Sequence, residues 1–300
     1  MTDFRYLHLD VFTDRRFEGN QLAVFPEPHG LSTDDMHAIT REMNFSECTF
    51  ILPPERGGDV RMRIFTPGTE LPMAGHPTIG STFALAIEGA IARGRTDFVF
   101  ELGVGPTPVS LEWGPTGLQF AWMTQPLPSF GDEIADRDAL AAALGIDGGD
   151  LAGDPAQMVS CGVPFLFVRA SSRAAVDAVA IDRRALVRCF RDAGLEELPV
   201  FVFTTESRAA AETVYSRMLA AGLGVAEDPA TGAASGPLGC YLLHHGIVTP
   251  EQARAMVSLQ GVAMGRPSRI HISIDSRDEM ITRVRIGGTS VMVGRGTLSL

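Results

Sequence analysis

Three side chains in this sequence could together move a proton on a small organic acid. They are Glu47 in NFSECTF, His76 in GHPTIG and Asp228 in EDPATG. Partial burial raises the pKa of a carboxyl group, and a general acid/base works best when its pKa lies near the operating pH. Each residue alone has an ordinary structural explanation, since glutamates are mostly exposed, histidines bond locally and an aspartate often caps a helix. Only in combination with two helix starts that could bind a substrate does Glu47 become a candidate acid/base.

Two segments could present a ligand to these side chains. GHPTIGSTFALAIEGA (75–90) and DPATGAASGPLGCYLLHHG (228–246) each begin with small residues and continue as helices that are apolar on nearly every side. A helix N-terminus offers unpaired N–H groups and partial positive charge, so two such ends facing one cleft would bind a carboxylate. The same positive end disfavours an imidazolium, which predicts a neutral His76. We expect a small carboxylate substrate to be bound by Ser46, Gly75, Pro77, Thr231, Gly232 and Ala233.

The elements that must position these residues are short strands around the two helices, because a helix without a polar face has to be buried. Alternating segments bounded by Gly, Pro or Asp predict strands at 4–12, 22–25, 48–54, 60–67, 98–102, 109–113, 117–123, 161–170, 198–206, 213–219, 271–274, 281–288 and 290–300. Further helices are predicted at 32–44, with Ser32 as the N-cap, at 136–146 and at 181–194. The last helix should bury Leu186, Val187 and Phe190. Segment 123–133, with two prolines and a glycine, is typical of a linker or a domain crossing.

Composition and charge exclude several classes of function. The chain has 300 residues and a formal net charge of −11, so nucleic acid and anionic membranes are disfavoured partners. We find no signal peptide and no apolar run of the roughly 20 residues that span a bilayer, which favours the cytoplasm. The four cysteines are far apart and form no CxxC pair, so we expect buried thiols in a reducing compartment rather than zinc ligands or disulfides.

The motifs of common cofactors are missing as well. GHPTIGS resembles a phosphate-binding loop, but Ser81 stands where that motif needs lysine. No GxGxxG follows a predicted strand, and the sequence contains no HExxH and no GxSxG. We therefore expect no cofactor and no metal.

At this point six segments in order resemble the phenazine-biosynthesis PhzF-like isomerase family. They span the chain from end to end, although the middle, about 130–215, carries little of the resemblance. The segments are FEGNQLAVF (17–25), NFSECTFIL (44–52), FTPGTELPMAGHPTIG (65–80), EDPATGAASGPLGCYL (227–242), QGVAMGRPSRI (260–270) and VRIGGTSVMVGRGTL (284–298).

The resemblance implies an α+β fold like that of diaminopimelate epimerase. It has two similar domains, each a barrel-like, mainly antiparallel sheet around a central helix, with the site between the helix N-termini. The domains would be 1–125 plus about 288–300, and 126–287. The family's acid/base glutamate falls on Glu47, its histidine on His76 and its aspartate on Asp228. Its best-known activity isomerises a dihydro-hydroxyanthranilate without metal or cofactor.

The sequence departs from the family in two places and leaves alternatives open. Ala233 stands where the family often has serine, and Cys48 where threonine is commoner. Related racemases use two cysteines at the helix ends, where this chain has His76 and Ala233, so a two-thiol mechanism is not expected. The alternatives are an epimerase or racemase of an amino or hydroxy acid, and a non-catalytic protein that binds small acids. A homodimer is expected because C₂ dimers dominate among oligomers.

Overall fold

The computed structural model of the protein describes residues 2–209, 211–220, 222 and 225–300. The chain divides into two compact units, one of Met1–Gln125 with Arg285–Leu300 and one of Pro126–Val284. The strands are β1 (Asp3–Val11), β2 (Asn20–Phe25), β3 (Glu47–Leu52), β4 (Val60–Phe65), β5 (Glu70–Leu71), β6 (Asp97–Leu102), β7 (Gly105–Gly114), β8 (Gly117–Gln125), β9 (Ser129–Ile134), β10 (Ala156–Ser160), β11 (Pro164–Arg169), β12 (Val200–Thr204), β13 (Val214–Ala220), β14 (Val225–Asp228), β15 (Met256–Gln260), β16 (Ser268–Arg277), β17 (Met280–Gly288) and β18 (Ser290–Ser299). The helices are α1 (Thr33–Met43), α2 (Gly75–Ile87), α3 (Arg137–Leu144), α4 (Arg173–Ala178), α5 (Arg183–Asp192) and α6 (Gly232–His244).

The first unit wraps a mixed sheet around helix α2. Strands β18, β1 and β2 are antiparallel neighbours, β2 and β3 pair in parallel, and β3 and β4 are antiparallel. Strand β4 then pairs in parallel with β6, and β6, β7 and β8 continue antiparallel. Helix α2 packs against β1, β2, β3, β8 and β18, which is why it is apolar all round.

The second unit repeats this arrangement around helix α6. Strands β9, β10 and β11 are antiparallel neighbours, β11 and β12 pair in parallel, and β12 and β13 are antiparallel. Strand β13 pairs in parallel with β15, and β15 with β16 antiparallel. Helix α6 packs against β10, β11 and β16. The same order of pairings in both units confirms the predicted α+β fold of two similar halves, each with a sheet around a central helix.

The remaining helices cover the outer faces of the two sheets. In the first unit, Met36 and Ile39 of α1 pack with Phe25, Phe50 and Phe65 in one buried cluster. In the second unit, α3 and α5 bury a cluster with the outer face of the sheet that includes Leu140, Leu144, Phe190, Val200 and Val202. Each sheet is therefore buried on both faces, which explains strands that are apolar almost throughout, such as VFVFT in β12.

Helix α1 begins as the sequence predicts. The Ser32 hydroxyl accepts the Asp35 N–H at 3.1 Å, and the Asp35 carboxylate accepts the Ser32 N–H at 2.9 Å. This reciprocal capping box satisfies two backbone donors at the start of the helix. The prediction of Ser32 as the N-cap is thus confirmed.

Segment 123–133, predicted as a linker or a domain crossing, contains the point where the first unit ends at Gln125 and the second begins at Pro126. Strand β8 continues to Gln125 and β9 begins at Ser129, so only residues 126–128 separate them. Each proline removes only its own N–H from a ladder, and the chain resumes pairing when Ser129 meets Ser160. Strands β10, β14 and β15 and helix α4 were not predicted, because their sequences are short and alternate weakly.

The buried side of α5 also differs from the prediction at one residue. Leu186 and Phe190 are buried as expected, but Val187 is 39% exposed and Cys189 is buried in its place. Successive helical residues turn by 100°, so the residue directly after Leu186 points toward solvent, while the residue three positions on returns to the same side.

Gly239 allows helix α6 to approach the sheet of its own unit closely. A Cβ at this position would lie 2.6 Å from Cγ2 of Ile272 and 2.9 Å from Cγ1 of Ile274. Alanine would favour the helix by about 1 kcal/mol, but overpacking a dense core costs about 1–3 kcal/mol. We expect Gly239→Ala to lower the free energy of unfolding by about 1 kcal/mol, as measured by urea denaturation.

Gly149→Ala is the matched control for this prediction, because nothing lies within 4 Å of a Cβ built there. The control should leave the urea midpoint within a few tenths of a kcal/mol of the wild type, roughly the range of a surface substitution. A Gly239→Ala protein as stable as this control would contradict the close approach of α6 to β16.

Candidate active site

Glu47 is the first residue of β3, and its side chain is only 14% exposed. The next residue, Cys48, points to the opposite face of the strand, into the cluster around Phe50 and Phe65. This burial raises the pKa of the Cys48 thiol to about 12. Ser46, which precedes the strand, is half-buried. The alternation of β3 therefore directs Glu47 away from the apolar cluster that holds Cys48.

His76 is the second residue of α2 and is almost completely buried. Its Nε2 lies 3.3 Å from Oε2 of Glu47, so the structure brings these two predicted site residues together. They can meet because α2 packs against β3, the strand that Glu47 begins. Gly75 and Pro77 flank His76 and are buried with it in the first turn of the helix.

Burial sets the charge of His76. Removal of the ring from water lowers the pKa of His76 to about 3, against a smaller opposing effect of a hydrogen bond with the Gln21 backbone. His76 is therefore neutral at pH 7, as predicted from its position, although the main cause is desolvation rather than the helix end.

Asn20 is a site residue that the sequence reasoning did not single out. It is the first residue of β2, is 1% exposed, and its side-chain nitrogen lies 3.2 Å from Nδ1 of His76. The amide nitrogen can donate to Nδ1 in the tautomer whose proton is on Nε2, the ring nitrogen that faces Glu47. The available signal was an asparagine that opens an otherwise apolar strand in FEGNQLAVF.

The turn before Asn20 requires glycine. Gly19 has a φ of 68°, and a Cβ there would lie 2.3 Å from the carbonyl oxygen of Val11. Only glycine tolerates both the left-handed backbone and this close approach. The turn at Gly19 therefore places Asn20 next to His76.

A second cluster of predicted residues lies in the other unit, at the start of α6. Asp228 ends β14 and is 5% exposed, and its Oδ2 accepts a hydrogen bond of 2.5 Å from the Thr231 hydroxyl. Thr231 is the N-cap of α6, yet its side chain bonds to Asp228 instead of capping the helix. Asp228 is therefore not the N-cap, which was the structural alternative considered from the sequence. Gly232 and Ala233 follow as the first two helical residues and are buried.

One expected substrate donor in this cluster is already engaged. The backbone N–H of Thr231 donates to Oε1 of Gln260 at 3.0 Å, inside the protein. A fully buried glutamine therefore already accepts this N–H, and substrate binding by Thr231 stays a prediction. Gln260 ends β15, which was not predicted as a strand, so its approach to the helix start had no signal in the local sequence.

The site residues thus form two clusters, each within its own unit. The first contains Ser46, Glu47, Gly75, His76 and Pro77, and the second contains Asp228, Thr231, Gly232 and Ala233. Among the described residues, no group of three or more His, Cys, Asp or Glu could hold a metal ion. In the same part of the chain, no helix has the length and hydropathy needed to cross a bilayer.

The fold places the chain in a known structural class. Its structure is similar to that of a hydroxyproline epimerase from Agrobacterium vitis, with a TM-score of 0.67, 12% identity, and coverage of 99% of this chain and 93% of the other. It is more similar to a phenazine biosynthesis protein of the PhzF family from Bacillus anthracis, with a TM-score of 0.88, 24% identity and full coverage of both chains. These likenesses confirm the predicted epimerase-like fold.

The sequence comparisons are more specific than the fold. The pattern of the family described as "Phenazine biosynthesis-like protein" matches residues 9–296. The trans-2,3-dihydro-3-hydroxyanthranilate isomerase of Pseudomonas fluorescens is 37% identical over 303 aligned residues, which cover 98% of this chain and 99% of the relative. The chain belongs to the PhzC-PhzF family of phenazine biosynthesis-like proteins, and it is an isomerase of this family. The resemblance seen in the six sequence segments is thereby confirmed.

Proposed function

We propose that the protein moves a proton between carbon atoms of a small carboxylic acid similar to trans-2,3-dihydro-3-hydroxyanthranilate, with Glu47 as the general acid/base. The observation that supports this is the 3.3 Å approach of Glu47 to the neutral, buried ring of His76. An isomerisation conserves the composition of the substrate, so the proton that leaves one carbon must be balanced by a proton delivered to another. A single carboxyl group that first accepts and then donates can perform both steps.

His76 supports this role in two ways. The ring stands against the Glu47 carboxyl group, with Nε2 3.3 Å from Oε2, and so limits the orientations that this carboxyl group can take. Because the ring is neutral, it adds no second charge to the site and can relay a proton without first losing one. Asn20 holds the ring from its other side through Nδ1.

The start of α2 supplies the binding site for the substrate carboxylate. Ala74, the N-cap, has no side chain that could accept the first N–H groups of the helix, and the first turn contains no acidic residue. The N–H groups of Gly75 and His76 and the positive end of the helix therefore favour an anionic ligand. Pro77 has no N–H and loses nothing at this position.

In the second cluster, Asp228 binds a polar substituent of the substrate, such as an amine or a hydroxyl group. The Thr231 hydroxyl holds its Oδ2 at 2.5 Å, so the carboxylate is oriented before any ligand arrives. Ala233 carries no polar side-chain atom and contributes only its backbone near the substrate.

The test is to incubate the purified protein with trans-2,3-dihydro-3-hydroxyanthranilate in D₂O and to follow the mixture by NMR and mass spectrometry. We expect a product of unchanged composition with a shifted double bond, in which a carbon-bound position exchanges with solvent. Substrate recovered unchanged and without deuterium would contradict the proposal. Inversion at a stereocentre without a double-bond shift would identify an epimerase instead.

The expected assembly and location belong to the same proposal. A cytoplasmic homodimer agrees with the acidic chain, whose net charge is −11, and with the prevalence of C₂ symmetry among oligomers. Sedimentation equilibrium of the purified protein determines the number of subunits.

A further inference from the structure

Gln260 makes three hydrogen bonds to the segment that carries Asp228 and the start of α6. Its Oε1 accepts the Thr231 N–H at 3.0 Å, and its Nε2 donates to the Asp228 carbonyl at 2.7 Å and to the Thr231 hydroxyl oxygen at 3.0 Å. Its side chain has no exposed surface. The residues are 29 to 32 positions apart in sequence, so these bonds join β15 to the turn between β14 and α6.

The chemistry of the amide gives this network a direction. The Thr231 N–H can only donate, so it fixes Oε1 on its own side and forces Nε2 toward the two other acceptors. The Thr231 oxygen then accepts from Gln260, and its hydroxyl hydrogen is left to point at Oδ2 of Asp228. A glutamine at 260 therefore leaves the Thr231 hydroxyl hydrogen available to Asp228, whose carboxylate can only accept.

We propose that Gln260 is a positioning residue that orients the Asp228 carboxylate through Thr231. The effect of Gln260 on turnover rests on the proposed function, in which Asp228 binds the substrate. The network itself lies within one unit and does not depend on that function. Gln260 does not contact the reacting atoms and acts only through Thr231 and Asp228.

The neighbours of Gln260 support a role for the amide rather than for its bulk alone. In the sheet, Gln260 stands opposite Ser216 of β13 and Ser268 of β16, both buried and uncharged. Arg217, next to Ser216, is engaged by Glu227 at 2.8 Å. Asp228 is the titratable residue among the hydrogen-bond partners of Gln260. A charge introduced at 260 would therefore act directly on the Asp228–Thr231 pair.

Gln260→Glu tests the donor while preserving shape. An ionised glutamate still accepts the Thr231 N–H but attracts the Thr231 hydroxyl hydrogen away from Asp228. Protonation restores one donor, so the ratio of variant to wild-type kcat should be low at about pH 8 and rise toward about pH 5.5, because burial raises the pKa of a carboxyl group. We expect a loss of about 10²-fold at the higher pH, typical of a misplaced binding group. Gln260→Met lacks a donor at every pH and should show the loss without recovery.

Gln157→Glu is the matched control. Gln157 is also buried, in the same unit, and bonds to the Gly131 carbonyl at 3.1 Å and to Nε2 of His245 at 2.9 Å. It touches neither Asp228 nor Thr231 through these bonds. Its substitution should change stability but leave the ratio of kcat values independent of pH.

Hydrogen exchange of the peptide 226–234 separates this inference from the proposed function. An ionised carboxylate at 260 would repel the Asp228 carbonyl oxygen that the amide now holds, which should loosen this turn. Even if trans-2,3-dihydro-3-hydroxyanthranilate is not turned over by the wild type, Gln260→Glu should therefore lose protection of this peptide at about pH 8 and regain it at about pH 5.5, after correction for intrinsic rates. That result would support the positioning role while the proposed function failed. Wild-type protection and an unchanged kcat profile in Gln260→Glu would overturn the inference.

Discussion

Glu47→Gln should reduce kcat for the isomerisation by about 10²–10⁴-fold, the range expected when a general acid/base is removed. Glutamine has nearly the same shape as glutamate, so the fold should be preserved. It cannot accept a proton from carbon at neutral pH, and the loss should therefore fall on kcat with KM little changed. Steady-state kinetics with trans-2,3-dihydro-3-hydroxyanthranilate measure both constants.

The control for this prediction is Glu42→Gln, the same substitution at an exposed position of α1. It should retain wild-type kcat and KM, because an exposed residue on this helix takes no part in either cluster. The Glu47→Gln protein should also bind the substrate and unfold cooperatively at the wild-type midpoint. Wild-type turnover by Glu47→Gln would contradict the role of Glu47 as the acid/base, since proton transfer to and from carbon is proposed for this residue alone.

Acidification should destabilise the wild type more than a His76→Gln variant. The pKa of His76 is lowered from 6.5 to about 3 in the folded protein by burial. Below a pH of about 6.5, His76 binds a proton in the unfolded chain but stays neutral in the folded chain. The free energy of unfolding therefore falls as the pH drops from about 6.5 toward about 3. Between about pH 7 and about pH 5 this group should contribute a loss of about 2 kcal/mol, which the variant lacks.

Urea denaturation of both proteins at each pH measures this difference, because all other titrating groups are shared. His29→Gln is the control, since His29 is exposed. Its unfolding free energy should follow the wild type across the same range. Parallel curves for the wild type and His76→Gln would show that His76 is not held neutral by burial.

Much of the fold could be predicted because its determinants are local or periodic. Helices α2 and α6 were predicted from segments that are apolar on every side, and both lie at the centre of their sheets. The capping box of α1 was visible as a serine followed by acidic residues. The exposed Val187 and the short strands β10, β14 and β15 were missed, because a few residues carry too little periodicity to set a side or a strand.

The sequence by itself determined the chemical types available to this protein: a glutamate at a strand entry, a histidine at a helix start, and small residues where a ligand can reach the backbone. Tertiary structure alone decided which atoms meet. Asn20 reaches His76 across 56 residues, and Gln260 takes the Thr231 N–H across 29. These hydrogen-bond partners are set by packing between segments that are far apart in sequence, and no local pattern of residues predicts which segments will pack together.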